Sequence, residues 1–340
     1  MKLYLRTLAV SSILLLARES RADSLSLLAP DLGGAEARAL QQGRVATRVL
    51  ESSDGAEVVT LAAVHIKTTP EAFAMCARMP SCLFGHDELE GSNHVAAASV
   101  DADLNRLQLD SRDRQQLERC AVGKCDVKLS AAAIERFRQV DWKGHDASNQ
   151  ATSIFRSTLA DLVRSYSASG DSGLPTYDDQ KRPVVVAQAI SALLARPTPP
   201  LAHAPALRSY LQTYPASALD SGYEYLCWRQ EKFWQQRLLT LEHVALQRLP
   251  DGGVVAAVKQ IYATHYLDAA LYVFAFEPDP AGGGLLVQMN RVQTDVGPGG
   301  FKWYERVLLN RLVKARLGRH LGALRERLER SRAIADASQN

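Results

Sequence analysis

The sequence predicts an α+β protein in which an antiparallel sheet is covered by one long C-terminal helix and interrupted by a large helical insertion. Three observations carry that expectation. Between Leu239 and Thr294, apolar β-branched stretches alternate with Gly- and Pro-rich turns, a meander of four strands. From Phe301 to Arg332, Leu308, Leu312, Val313, Leu317, Leu321, Leu324 and Leu328 recur mostly at three- or four-residue steps, the spacing of an amphipathic helix. Far upstream, Glu57 to Lys67 is a lone β-branched run with no helical period. One apolar face of the sheet needs a covering layer, and the terminal helix supplies it.

The elements follow in order. Met1 to Ala22 reads as a cleavable signal peptide: Lys2 and Arg6 precede the apolar run Thr7 to Ala17, and Ser20-Arg21-Ala22 offers small residues for cleavage. The apolar run is too short for the roughly 20 residues of a membrane span, so the address is the periplasm or the medium. Residues 23–55 form a leader with little periodicity. After the strand ending near Lys67, Thr69 caps a helix with Pro70 in its first turn, and Pro80 ends it. Residues 84–221 alternate helical stretches with punctuation: Asp113 to Cys120, Ser130 to Val140, Ser148 to Ser167, Pro183 to Ala195 and Ala206 to Tyr214. The meander is expected at Leu239–Leu249, Val254–Tyr262, His265–Glu277 and Leu285–Thr294, and residues 334–340 are left as a flexible tail.

The 340 residues are 46% hydrophobic and 23% charged, which excludes a disordered or fibrous chain. A net charge of +3 is too small to imply a nucleic-acid partner. The charge is unevenly placed, however. From Lys302 to Arg332 ten basic residues face three acidic ones, a net +7 that leaves −4 for everything else. An Arg-rich face opposite an apolar stripe can lie against an anionic membrane, and the plainer reading is a solvated face.

Export changes the reading of the five cysteines, because oxidising compartments let disulfides persist. Cys76 lies near Cys82 and Cys120 near Cys125, with Gly123 easing the second loop, and Cys227 is left over. Local disulfides at these pairs are favoured over a zinc site built from Cys76, Cys82, His86 and His94, whose spacing fits no compact finger. No metal and no cofactor is expected.

The phrase V-H-I-K-T-T-P-E-A-F from Val64 to Phe73, followed much later by antiparallel strands and one long terminal helix, resembles the START-like helix-grip superfamily. The resemblance implies a curved antiparallel sheet wrapped around the final helix, with a lipid-like or other apolar ligand held between them. It covers residues 56–83 and 222–333, a split domain, and departs from the family pattern in the insertion and in having only four strands after it. C-A-V-G-K-C-D-V-K-L from Cys120 and K-Q-I-Y-A-T-H-Y from Lys259 are similar to stretches in a group of exported bacterial proteins, which implies no particular chemistry.

The segment Lys259 to Asp268 gathers the most polar chemistry. Alternation puts Tyr266, Asp268, Tyr272, Phe274 and Phe276 on one strand face, with His265 on the other. Tyr225, Trp228, Lys259, Tyr262, Tyr266, Tyr272 and Arg291 form the candidate ligand-binding set, polar contacts and aromatic walls of an otherwise apolar pocket. Catalysis would use His265 as a base oriented by Asp268 or Asp295, with Arg291 holding an anionic group. The plain alternative pairs Lys259 and Arg291 with Asp268 or Glu242 across strands. No G-x-S-x-G elbow is present, and Gly282-Gly283-Gly284 is a hairpin turn.

The favoured reading is an exported binding protein for an apolar or amphipathic small molecule, rather than an enzyme. Two alternatives stay open. One is a cyclase-like or hydrolytic enzyme on the same scaffold using His265 and Asp268; the other is a protein-interaction module presented by the insertion.

Overall fold

The computed structural model describes residues 28–85, 89–233, 236–295 and 303–337. The expected signal segment and His86 lie outside them. The chain is a mixed α+β protein built on a large antiparallel sheet, as expected, with strand order β1-β2-β10-β9-β8-β7-β6-β3. Here β1 is Ala46–Leu50, β2 Glu57–Ile66 and β3 Leu89–Val95, while β6 is Gly222–Phe233, β7 Gln236–Arg248, β8 Val254–Ala263, β9 Leu267–Pro278 and β10 Gly284–Thr294. The first long strand, β2, pairs with the last, β10, so the sheet is closed up across the insertion.

Three strands of this sheet went unread in the sequence. The leader is not a separate segment: Gly34–Gln41 forms helix α1, and β1 pairs with β2 at the sheet edge. At the other edge β3 begins only five residues past the expected boundary of the insertion and pairs with β6, which reaches back over the Tyr- and Trp-rich stretch before the meander. Gly91 in β3 is forced by close approach, since a Cβ there would stand 2.9 Å from the Trp228 ring.

One face of the sheet carries α2 (Pro70–Ala77), α3 (Pro80–Phe84) and the long terminal helix, Trp303–Ala337, here α11. The Thr69 hydroxyl accepts from the Ala72 amide and caps α2 as the sequence indicates. The terminal helix extends five residues past Arg332, correcting the expected tail. Leu317, Leu321, Leu324 and Leu328 make its buried stripe and pack on Ala62, Val64, Phe73, Phe274 and Leu286. Each such leucine contributes about 1.5–3 kcal/mol of burial.

The opposite face carries the insertion: α4 (Val100–Asp103), α5 (Ser111–Glu118), α6 (Ala131–Arg138), α7 (Ala147–Ser169), the short pair β4 (Thr176–Tyr177) and β5 (Val184–Val185), then α8 (Val186–Ala195), α9 (Pro199–Ala202) and α10 (Pro205–Thr213). Ser130 caps α6 through its side chain as the sequence indicates, and Asp110 caps α5, which begins two residues before the expected Asp113. With helices on both sides, every residue of β8 is buried, which is why it reads as an apolar run broken by Lys259 and Gln260 rather than as an alternating one.

Cys76–Cys82 and Cys120–Cys125 are disulfides with Cα separations of 5.2 and 4.5 Å, and Cys227 is free and buried. Stable disulfides fit folding in an oxidising compartment. No helix among the described residues is long and apolar enough to cross a membrane.

Candidate functional site

The sheet divides the residues singled out in the sequence into two groups. On the α11 side stand Tyr225 and Tyr272; on the insertion side or at the sheet end stand Trp228, Lys259, Tyr262, Arg291, His265 and Asp268. They therefore do not form one pocket.

On the insertion side the polar groups are anchors. Lys259 Nζ donates to Asp171 at 2.7 Å and to the Leu211 carbonyl at 2.8 Å. Burial, only partly offset by Asp171, lowers its proton affinity. Arg291 pairs with Glu57 at 2.6 Å and bonds Thr198. These contacts replace the expected pairing with Asp268 or Glu242. The Trp228 indole donates to the Asp103 carbonyl, and the Tyr262 hydroxyl to that of Lys128. His243 is fully buried among Tyr166, Tyr210 and Tyr214, with Nδ1 2.7 Å from the Tyr166 hydroxyl.

His265 and Asp268 are not partnered with each other. His265 Nδ1 lies 2.8 Å from the Asp126 carbonyl and Nε2 3.0 Å from Asp113 Oδ1, so Asp113, not Asp268 or Asp295, orients the ring. Both ring nitrogens are spent and the side chain is buried. Asp268 sits where β9 slips register against β10, Gln293 facing Ala269 and Thr294 facing Leu267. That extra residue breaks the alternation and turns Asp268 to Lys128, at 2.7 Å, with Asp295 3.2 Å from the same ammonium. Burial works against the Lys128 charge, and the carboxylates of Asp268 and Asp295 overcome it, so its proton affinity is raised. Tyr266 lies just outside β9 with φ +63°, its ring 5.5 Å from that of Phe233.

The α11 side holds a polar cluster that sequence reasoning missed. Arg229 forms a forked pair with Glu242, Nη2 to Oε1 2.7 Å and Nε to Oε2 3.2 Å, and a second pair with Glu231 at 3.0 Å. Arg316 of α11 closes on Glu231 at 3.0 Å, and the Arg229 guanidinium stacks 4.2 Å over Phe84. Glu242 is fully buried and also accepts from Thr240 at 3.1 Å. Two cations and two anions leave the cluster neutral. Opposite Glu242 in the ladder lies Gln260, also fully buried, and neither atom of its carboxamide has a hydrogen-bond partner. Tyr272 of β9 stands half-buried nearby, its phenol pushed up by burial. Cys227 lies on this face too, and burial beside Glu242 pushes its thiol well up, against a nucleophilic role.

Further along the same face, His320 of α11 bridges the Gln288 carboxamide, 3.0 Å, and the Leu83 carbonyl, 3.1 Å. Beyond it the layer becomes apolar, with Phe73 and Phe276 6.0 Å apart. Tyr225 seals this region by donating to the Ala77 carbonyl and packing its ring 4.4 Å from His94. Part of the basic charge of α11 is spent internally: Arg316 on Glu231, Arg325 on the Gly43 carbonyl and Arg327 on that of Cys82. The signal for the cluster was present as Glu242 and Gln260, polar residues inside otherwise apolar strands; what hid it was their facing the same way across two strands.

No protein-family model matches the chain, and no curated protein is significantly similar to it.

Proposed function

We propose that the protein is an exported START-like helix-grip protein that holds an amphipathic small molecule between its sheet and α11. The family-like order supports the reading: a first strand running into T-T-P-E-A-F and α2, then antiparallel strands of which the last pairs with that first strand, then one long helix on the sheet. The observation that carries it is Gln260. Leaving both ends of a buried carboxamide unbonded costs about 1–3 kcal/mol per unsatisfied group, a cost relieved by a bound molecule that offers a donor and an acceptor. The neutral Arg229–Glu242–Glu231–Arg316 cluster beside it suits an uncharged polar group, and the Phe73, Phe274 and Phe276 layer suits an apolar body.

Organic extraction of protein purified from the periplasm, followed by mass spectrometry, should release such a molecule. Gln260→Leu should retain far less of it while raising stability by about 1 kcal/mol, because an apolar group of similar size removes the unsatisfied amide. No released molecule, together with equal uptake of an apolar fluorescent probe by the wild type and Gln260→Leu, overturns the proposal.

A further inference from the structure

On the far side of the sheet, away from the face that carries α11, the insertion forms a solvent-open pocket of about 290 Å³ between α6, α7 and the tyrosines of β4 and β8. A concave pocket with a mostly apolar lining and a single cation is the composition of a small-molecule site. Small residues help to shape it: Ala132 and Ala133 on one wall leave unfilled the space that larger side chains would take. Its floor is apolar. Leu159 and Ala133 are buried, and Tyr177 and Tyr262 have their hydroxyls engaged elsewhere, Tyr177 accepting from the Ala263 amide and Tyr262 donating to the Lys128 carbonyl. What both tyrosines leave for the cavity is ring carbon.

One cation stands among the lining residues. The Arg136 guanidinium is braced by the Ser157 and Thr158 hydroxyls on α7, and its ion pair with Asp161 is long, 3.4 Å. A good guanidinium–carboxylate bond is about 2.7–2.9 Å. Asp161 is shared with Arg164, also at 3.4 Å, so an incoming carboxylate can take Arg136 while Asp161 keeps a cationic partner. We propose that this cavity is a second ligand site, specific for a small amphipathic monocarboxylate, with its apolar body on Leu159, Tyr177 and Tyr262 and its head group on Arg136. The grip can fail as a ligand site without affecting this one, because the sheet separates them.

Isothermal titration with sodium octanoate tests the site. Saturable binding is expected in the wild type, with octylamine binding much more weakly. Arg136→Gln should weaken octanoate by about tenfold, the loss of a bidentate charge-assisted contact. Ala132→Phe, a change at an exposed position on the wall, should abolish binding, and Gln260→Leu should leave it unchanged. No saturable octanoate binding, octylamine binding equally well, or indifference to both Arg136→Gln and Ala132→Phe overturns the assignment. Loss in Gln260→Leu alone places octanoate in the grip and likewise overturns it.

Discussion

Lys128→Met is expected to cost about 3–5 kcal/mol of stability, a large part of what holds a domain of this kind together. The Lys128 side chain is 2% exposed, and its ammonium is the counter-charge of Asp268 at 2.7 Å and Asp295 at 3.2 Å. Methionine fills the volume but leaves two carboxylates facing each other without a cation. Asp268→Asn should also destabilise, by less, because Asp295 keeps part of the ion pair. Lys128 donates its backbone amide to the Thr264 carbonyl and accepts at its own carbonyl from Tyr262, so the insertion is tied here to the end of β8. Urea denaturation of the three proteins measures both losses. The comparison also weighs the enzyme alternative: a catalytic Asp268 predicts an Asp268→Asn protein as stable as the wild type and inactive on a found substrate, whereas an anchor predicts a stability loss that Asp268→Asn shares with Lys128→Met.

The meander, the capped helices and the terminal helix were legible because each rests on local signals: Gly and Pro turns, Thr69 and Ser130 caps, a leucine stripe. The three unread strands lack those signals for identifiable reasons. β1 is a five-residue edge, and β3, L-E-G-S-N-H-V, is polar and carries Gly91 to clear Trp228. In β6, Arg229 and Glu231 point inward as a satisfied ion pair, so a core-facing strand reads as amphiphilic. The division of the site residues between two faces was less legible. Alternation correctly groups Tyr272, Phe274 and Phe276 toward α11, then fails at Asp268 because the β9–β10 register shift inserts one residue. A second shift, between β7 and β8, brings Tyr262 onto the same face as Lys259. No periodicity argument locates a bulge, since the extra residue leaves composition unchanged.

The two faces also define different physical tasks. On the insertion side, Lys259–Asp171 and Lys128–Asp268 each join a sheet residue to the insertion, and Arg291, paired with Glu57 on the neighbouring strand, also bonds Thr198, so polar groups there fasten layers together. On the α11 side the ion pairs lie within β6 and between β6 and β7, with Arg316 reaching down from the helix, and they stop short of Gln260. Under the proposed function, a cluster that satisfies its charges while leaving a neutral donor–acceptor pair unbonded selects ligands by hydrogen bonding rather than by charge. Discrimination of that kind is steep, because a ligand lacking the polar group leaves the buried amide unpaired.

Acid should loosen the contact between α11 and the sheet through His320. Burial pushes its imidazole down to about 4, and the nearby Arg327 and Arg229 act in the same direction against the Leu83 hydrogen bond and Glu231. With Nε2–H donated to Leu83, the neutral ring must accept at Nδ1 from Gln288, whose carboxamide can present its NH2 after a flip. Protonation removes that acceptor and places a cation between Phe274 and two arginines. The sign follows from linkage: below the ordinary value of 6.5 the unfolded chain takes up a proton that the native state refuses, so stability falls as pH drops from about 6.5 toward 4. At pH 5 the expected loss relative to pH 7.5 is about 2 kcal/mol from this group, approaching about 3 kcal/mol at lower pH. His243, whose imidazole is also lowered by burial, adds to the slope in the same direction. His320→Gln keeps a donor for Leu83 and removes the titration, so urea melts at pH 7.5 and pH 5 should show the wild type losing about 2 kcal/mol more than the variant. Equal losses in the two proteins would mean that His320 takes up its proton in the folded state as readily as in the unfolded one, and that α11 is held over the sheet without regard to its charge.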